Sequence, residues 1–342
     1  MNRSPGYPLE CVQDFVWPDT SIVPPLIEYA QADESIYENK SLLELKPILE
    51  LHLQKNFPEL VPVSKKFFTD IETQRSWETK SQSKNFKKFK LLSKHCKEIA
   101  ENGSSSYELP FEDIKSLKAP IENEIKALLD FEGNNSFYQY DRAKSYNKKH
   151  DYTKIVESIL IKNGLIESAK DYFGYPSMSV ATVTLHVAMP GDLHLKQVFC
   201  DTGYSTDLSN LHFDPKAGTM KCILYLDDVG LNDGPFCYIP KSHRHSIEEE
   251  VRLSAKANCT GNYLDSPAKR KFFMQLPKKF RNTSIYGPLC VNGSEVNKYY
   301  HEKLAAFTSN QGNAILFDPA MSHVGGVCKS GRRINLQIAI RK

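Results

Sequence analysis

The feature that most constrains this sequence is a change of character near Tyr175-Pro176. Beyond it, short runs of β-branched and aromatic residues alternate with turn signals such as Asn232-Asp233-Gly234-Pro235. Many short strands separated by frequent turns are typical of sandwiches and barrels. We therefore expect strands at residues 179–187, 197–200, 220–226, 236–239, 314–317 and 334–340.

Before this boundary, the spacing of apolar residues is mostly helical. Asn163-Gly164 is a break signal, which divides the last of these segments into two helices. The helical segments that the periodicity predicts are residues 41–57, 83–100, 121–131 and 151–172.

These patterns predict an α+β protein with two parts. Residues 1–175 form a mainly helical N-terminal scaffold, and residues 176–342 form a strand-rich core. The stretch 246–310 interrupts the predicted strands, is basic, and is partly helical at 266–280. We expect this insertion to form a lid, because long excursions between strands often cover a pocket.

Composition excludes several classes of protein. The chain has 40% apolar and 25% charged residues, which is typical of globular domains and not of disordered or fibrous chains. No stretch approaches the roughly 18 uninterrupted apolar residues of a membrane helix, so we expect no membrane partner. The eight cysteines are scattered without a Cys-x-x-Cys pair, which indicates reduced thiols and a cytoplasmic location.

The sharpest local motif is Leu211-His212-Phe213-Asp214-Pro215. On an extended segment, residues i and i+2 project to the same side, so this imidazole and carboxylate can bind one metal ion. Taken in isolation, the pair is better explained as a buried histidine beside an ordinary turn carboxylate. Three later elements favour the metal: a Gly-Pro turn that ends in Ser242-His243, a distal His323, and the arginines of Gly331-Arg332-Arg333.

In this order, the elements resemble the phytanoyl-CoA dioxygenase-like branch of the Fe(II)/2-oxoglutarate-dependent oxygenases, over about residues 179–342. The resemblance implies a double-stranded β-helix core, also called a jelly roll or cupin-like fold. It also implies that His212, Asp214 and His323 bind iron. Two histidines and one carboxylate form the facial triad of non-haem iron oxygenases, which leaves positions for 2-oxoglutarate and dioxygen. His243 is the alternative to His323 as the third ligand.

The far carboxylate of 2-oxoglutarate needs a cation, and arginine binds such a group through two parallel hydrogen bonds. The resemblance places this arginine at Arg332 or Arg333. Alternation along the predicted strand puts Ile334 and Leu336 on the apolar face and favours Arg333 for the pocket, while Arg332 stays open. Relatives often have a cosubstrate-binding serine where this chain has Gly325. Three residues on neighbouring strands are candidates for the missing cosubstrate contact: Lys221, Tyr225 and Thr184.

The function that follows is oxidation of an unactivated C–H bond in a small molecule of biosynthetic or secondary metabolism. Hydroxylation is the default outcome, and desaturation, cyclisation and epoxidation stay open. Fe(II), 2-oxoglutarate and O2 are required, and we expect ascorbate to stimulate. Basic residues between 269 and 281 favour an anionic substrate, although a solvated helix surface explains them as well.

Two alternative functions stay open. The first is a nucleic-acid demethylase of the same superfamily, with the lysine-rich segment 80–97 as its binding surface. A solvated helix face is the more common explanation of such a segment, so we expect no nucleic-acid partner. The second is a non-catalytic jelly-roll binding protein.

Overall fold

Helices make up most of the described part of the first half of the chain, as the periodicity predicts. In the computed structural model, the residues described are 40–85, 93–131, 142–190, 211–214, 218–243, 249–258, 267–282, 284, 293 and 295–342. Within them the helices are α1 (Leu42–Asn56), α2 (Val61–Asn85), α3 (Lys94–Asn102), α4 (Phe111–Lys118), α5 (Glu122–Leu129), α6 (Asp151–Lys162), α7 (Leu165–Phe173), α8 (Glu249–Ala257), α9 (Pro267–Gln275) and α10 (Glu295–Lys303).

The strands lie in two antiparallel sheets, a large one with the order β1-β7-β4-β9-β3-β2 and a small one with the order β6-β5-β8. The strands are β1 (Ser104–Glu108), β2 (Ala143–Asn147), β3 (Ser179–Ala188), β4 (Thr219–Tyr225), β5 (Phe236–Tyr238), β6 (Ala305–Phe307), β7 (Asn313–Phe317), β8 (His323–Gly325) and β9 (Arg333–Arg341). The expected mixture of helices and antiparallel sheet is confirmed. The finer description as a double-stranded β-helix stays a prediction.

Local sequence signals explain where several helices begin and end. The Ser41 side chain accepts a hydrogen bond from the Glu44 backbone, and Glu44 accepts one from the Ser41 backbone, so α1 starts with a capping box. At Gly164 the backbone adopts φ +78°, a conformation that costs glycine little, and α6 ends there as α7 begins. The predicted break at Asn163-Gly164 is therefore confirmed.

The two faces of the large sheet pack against different partners. Alternate residues such as Val183, Leu224, Leu336 and Ile338 lie in the main core together with residues of helices α3 to α7. The intervening residues face the small sheet, where Ile223, Tyr225, Phe236, Ile315 and Phe317 form a second apolar cluster between the sheets. The period-two alternation of the strands thus separates a helix-packed face from an inner face.

The insertion is more closely tied to the N-terminal helices than the sequence predicts. Leu253 of α8 and Phe272 of α9 belong to one buried cluster with Leu45 and Leu49 of α1 and Phe68 of α2. This packing accounts for the helical pattern at 266–280, which corresponds to α9 and a 3-10 turn at Lys278–Phe280. The role of 246–310 as a lid stays a prediction.

Two short strands in the first half were missed by the sequence pattern. β1 pairs with β7, and β2 pairs with β3, so each is an edge strand of the large sheet. Neither contains a β-branched residue, and their pairing partners decide their conformation. The expected strand at 197–200 lies outside the described residues, and the division of the chain at residue 175 stays a prediction.

No helix in the described part of the chain combines the length and hydropathy that crossing a bilayer requires.

Replacing Leu336 by alanine should lower the free energy of unfolding by about 2–5 kcal/mol, because it opens a cavity in the main core. Leu336 is fully buried in β9 between the sheet and the helices. Urea unfolding measures the loss. Leu43→Ala on α1 is the control, since Leu43 is 67% exposed and its loss should change stability by no more than about 0.5 kcal/mol. Similar losses in both variants would contradict this account of the core.

Candidate metal centre

The structure brings together His212, Asp214 and His323, the three residues that the sequence predicts as metal ligands. His212 Nε2 lies 3.6 Å from Asp214 Oδ1, and His323 Nε2 lies 4.0 Å from Asp214 Oδ2. One ligand atom from each residue falls within 4.8 Å of the others, and among the described residues this is the group that fits a metal ion. Two imidazoles and one carboxylate are a donor set that suits ferrous iron.

Backbone pairing aligns the two histidines. The His212 N–H donates to the His323 carbonyl at 3.0 Å, and the His323 N–H donates to the His212 carbonyl at 2.7 Å. The imidazole rings consequently lie with their centroids 4.3 Å apart. An isolated bridge between two residues far apart in sequence therefore determines where the ligands meet.

Alternation along the extended segment 211–214 aims the ligands at one side. Leu211 and Phe213 are fully buried in an apolar cluster with Ala255 of α8 and Tyr300 of α10. The Phe213 N–H also donates to the Ser284 carbonyl at 2.9 Å. Because side chains alternate in extended backbone, anchoring these two residues turns His212 and Asp214 to the opposite side. The insertion thus supports the ligands from behind.

One turn, Asp318–Met321, positions two of the ligands. The Met321 carbonyl lies 2.7 Å from His323 Nδ1, and the Pro319 carbonyl accepts the Asp214 N–H at 2.7 Å. Tyr172 of α7 donates its hydroxyl to Asp318 at 2.7 Å and so ties this turn to the helical layer. A carbonyl accepts only from a protonated ring nitrogen, so His323 carries its proton on Nδ1 and presents the Nε2 lone pair to the site.

His323 Nε2 supports the metal assignment directly. It is buried and has no hydrogen-bond partner within the part of the chain that the structure describes. A buried acceptor without a partner costs about 1–3 kcal/mol, which ligation of a cation would offset. The aromatic rings of Phe317 and Phe236 lie 5.1 and 5.8 Å from the imidazole and shield it from water.

The electrostatics of the site favour a neutral His323 and an ionised Asp214. Burial, together with the nearby His212 and Lys221, lowers the pKa of His323 to about 3, although Asp214 opposes this shift. Burial alone would raise the pKa of Asp214, but Lys221 and the two histidines hold it well below its usual range. Both groups are therefore in the protonation state that metal ligation needs.

His243, the alternative third ligand, lies elsewhere. Its ring is buried against α3, with Nε2 3.3 Å from the Ala100 carbonyl. The preceding Ser242 is the useful part of the turn, because its hydroxyl donates to Ile239 and accepts the Ser322 N–H at 2.8 Å. The Gly-Pro turn that ends in Ser242-His243 thus supports the residue next to His323.

Gly234, which opens this turn, has a conformational reason to be glycine. It adopts φ +70°, and an added Cβ would lie 2.6 Å from the Gly326 carbonyl oxygen. Both the left-handed backbone and the close approach of the β8 loop exclude a side chain.

The two candidate arginines have different surroundings. Arg333 is buried on the inner face of β9, and its Nε donates to Asn335 Oδ1 at 3.1 Å. Its guanidinium lies beside Gly325, where an added Cβ would be 3.4 Å from Nη2. The Arg332 side chain is 54% exposed and pairs with Asp227 at 3.3 Å. Gly325 follows His323 by two residues on β8, so the Arg333 guanidinium lies near the triad.

The three further candidates for cosubstrate contact have protein partners. Lys221 Nζ lies 2.5 Å from Asp214 Oδ2. The Tyr225 hydroxyl donates to the Phe307 carbonyl at 2.7 Å and accepts the Phe236 N–H at 2.9 Å, so it links the two sheets. Thr184 Oγ1 lies 3.0 Å from the Ser145 hydroxyl on the neighbouring edge strand. Their contact with the cosubstrate stays a prediction.

Sequence reasoning missed the residues that hold the ligands in place. Met321 and Pro319 act through backbone carbonyls, for which no sequence signal exists. The ion pair of Lys221 with Asp214 did have a signal, since Lys221 is a charged residue on the inner face of a predicted strand. Such a lysine needs an acidic partner, and Asp214 is the acid of the nearest motif.

Comparison with known proteins gives one family and several distant structures. A profile of the family described as phytanoyl-CoA dioxygenase (PhyH) matches residues 108–334. No curated protein sequence matches the chain.

Three solved structures illustrate the distant likenesses. AviO1 from Streptomyces viridochromogenes Tue57 is 15% identical, with a TM-score of 0.41 over 72% of this chain and 93% of that one. The non-haem α-ketoglutarate-dependent carbocyclase SnoK from nogalamycin biosynthesis is 13% identical, with a TM-score of 0.43 over 74% and 85%. EctD from S. alaskensis with 2-oxoglutarate and 5-hydroxyectoine is 12% identical, with a TM-score of 0.44 over 73% and 76%.

The shifted pKa of His323 predicts how the stability of the metal-free protein depends on pH. The unfolded chain binds a proton at His323 near pH 6.5, whereas the folded chain does so only near pH 3. Stability should therefore fall as the pH drops below about 6.5, by up to about 1.4 kcal/mol per pH unit from this residue.

Urea unfolding in EDTA at pH 7, 6 and 5 measures this slope. His323→Gln removes the titrating group and should show a shallower decline than the unmodified protein. Equal slopes for the two proteins would show that His323 is not held neutral by the fold.

Proposed function

The chain belongs to the phytanoyl-CoA dioxygenase family, and from this premise we propose that it oxidises an unactivated C–H bond of a small molecule. Family membership confirms the expected enzyme class, a non-haem Fe(II)- and 2-oxoglutarate-dependent dioxygenase, and its need for iron and 2-oxoglutarate. Stimulation by ascorbate and a cytoplasmic location stay predictions.

The observation that supports this proposal best is the convergence of His212, Asp214 and His323. The matched region contains all three residues, and the fold brings their ligand atoms within 4.8 Å of one another. A non-catalytic binding protein has no need for a buried imidazole nitrogen whose lone pair faces a carboxylate. On this proposal the three side chains hold Fe(II), which together with 2-oxoglutarate supplies the oxidising power of the reaction.

Arg333 is the residue we assign to the far carboxylate of 2-oxoglutarate. It is buried on the inner face of β9, whereas Arg332 is half exposed and paired with Asp227. A buried guanidinium keeps its charge and offers two parallel N–H donors to a carboxylate. Asn335 accepts from its Nε and so orients the fork. This placement agrees with strand alternation, which favours Arg333.

The surroundings of the triad limit access of water. His323 is 4% exposed, and Phe236 and Phe317 lie against its ring. Exclusion of water strengthens the electrostatic interactions inside the site and protects reactive species from side reactions. The chain's own contribution is therefore to hold the ligands, orient the cosubstrate and keep water away from the His323 ring.

We further propose that residues 176–342 form the double-stranded β-helix core and that 246–310 covers it. The two sheets enclose the second apolar cluster, and His323 lies on β8 of the small sheet. Within the insertion, Lys271 pairs with Glu59 at 2.6 Å, and the buried Arg281 donates to the Leu276 carbonyl. Two of its basic residues thus serve packing, and the remaining support for an anionic substrate comes from residues such as the exposed Lys278 and Lys279.

A screen for succinate release tests the function. In a screen of amino acids, acyl derivatives and oligonucleotides with Fe(II), 2-oxoglutarate and ascorbate, the enzyme should turn over with one class of small molecule and not with oligonucleotides. His212→Ala and His323→Ala should reduce turnover to background because each removes a metal ligand. His301→Ala, on the exposed surface of α10, should retain it. Binding without turnover in the unmodified protein would support the non-catalytic alternative, and turnover with oligonucleotides alone would support the demethylase.

The two arginines should differ in their effect on the cosubstrate. Arg333→Gln should raise the KM for 2-oxoglutarate about 10- to 100-fold, because it removes a charge-assisted pair of hydrogen bonds. Arg332→Gln should change this KM by less than about twofold. Steady-state kinetics at saturating iron and substrate measure both constants, and the reverse order would assign the cosubstrate to Arg332.

A further inference from the structure

Lys221 makes a contact that the proposed function does not use. Its ammonium nitrogen lies 2.5 Å from Asp214 Oδ2, and the two side chains are only 16% and 20% exposed. Cys222 and Leu224, its neighbours on β4, alternate with it and face the helical core instead. Lys221 is therefore an inward-facing cation whose charge is balanced by a metal ligand.

The contact between Lys221 and Asp214 changes the net charge that the site presents to a metal ion. A histidine that ligates a metal does so as a neutral donor, so Asp214 contributes the negative charge of the ligand set. His212 Nε2 lies 3.6 Å from Asp214 Oδ1. The second oxygen, Asp214 Oδ2, contacts Lys221 Nζ and lies 4.0 Å from His323 Nε2. The ammonium therefore neutralises the charge that would otherwise attract a divalent ion.

We infer that Lys221 is the counter-ion of Asp214 in the metal-free enzyme and competes with the metal for this carboxylate. The inference rests on the proposed function, since it requires the triad to bind a metal. When a metal binds, the Lys221 ammonium must either move away from Asp214 or stay beside the divalent ion, where the two positive charges repel each other.

Two effects of Lys221 on metal affinity oppose each other. A residue that orients a metal ligand typically strengthens metal binding about 10- to 100-fold. The repulsion between an ammonium and a divalent cation a few ångströms apart is the larger effect in a mostly buried site, because solvent screens it weakly. Lys221 therefore keeps the carboxylate in place without metal and weakens metal binding.

Isothermal titration with Mn(II) alone tests the sign of this effect. Lys221→Met and Lys221→Gln should bind Mn(II) about tenfold or more tightly than the unmodified protein. Lys221→Arg keeps the charge and should bind it with unchanged affinity. Lys144→Met is the matched control, because Lys144 lies on β2 of the same sheet and pairs with Glu124 at 3.1 Å. Unchanged or weaker affinity in both neutral variants would overturn the inference.

A second measurement separates the effect from a loss of folding. In EDTA, the neutral variants should melt at a lower temperature than the unmodified protein, since the half-buried Asp214 loses its cationic partner. Mn(II) should raise their melting temperature more than it raises that of the unmodified protein. If neither neutral variant folds in EDTA, recovery on refolding at Mn(II) concentrations below the Kd of the unmodified protein supports the inference, and no recovery overturns it.

Two further outcomes separate a failure of this inference from a failure of the proposed function and from a role of Lys221 in cosubstrate binding. If the unmodified protein binds no Mn(II), the proposed function itself fails. If the neutral variants lose affinity for 2-oxoglutarate at saturating Mn(II) while their affinity for Mn(II) is unchanged, Lys221 is a cosubstrate contact and the counter-ion role is overturned.

Discussion

The reciprocal backbone hydrogen bonds between His212 and His323 are the interaction on which the site depends. They join an extended segment before β4 to the start of β8, and so bring together two ligands that lie far apart in the sequence. Side-chain direction follows from this pairing, because the buried Leu211 and Phe213 face the insertion and leave His212 and Asp214 on the other side. The chemistry of the site is thus decided first by main-chain geometry and only then by residue type.

A half-buried carboxylate flanked by two imidazoles is costly to assemble, and the surroundings offset the cost in specific ways. The Met321 carbonyl holds the His323 tautomer, the Pro319 carbonyl holds the Asp214 backbone, and Lys221 balances the charge of Asp214. Arg333 is buried on the same inner face with Asn335 as its partner. Apart from His323 Nε2, which has no hydrogen bond within the described residues, these polar groups have protein partners, as burial requires.

The sequence predicts those features that rest on local patterns. The capping box at Ser41 begins α1, and alternation along β9 separates Arg333 from Ile334 and Leu336. The convergence of His212, Asp214 and His323 was predictable because the order of their motifs resembles a known family. The edge strands β1 and β2 were not, because Ser-, Lys- and Tyr-containing segments take strand conformation there only through pairing with β7 and β3. The contacts that the Met321 and Pro319 carbonyls make with His323 and Asp214 depend on tertiary structure. Every residue has a backbone carbonyl, so residue identity does not predict these contacts.

The hydroxyl of Tyr172 on Asp318 has a wider consequence. It connects the helical layer to the same turn whose carbonyls hold His323 and Asp214. A shift in the packing of α7 would reach the proposed iron ligands His323 and Asp214 through a single hydrogen bond and one short loop. A chimaera that combines the strands of this enzyme with helices from a relative should therefore take Tyr172 and Asp318 from the same parent, because the two residues depend on each other's hydrogen bond.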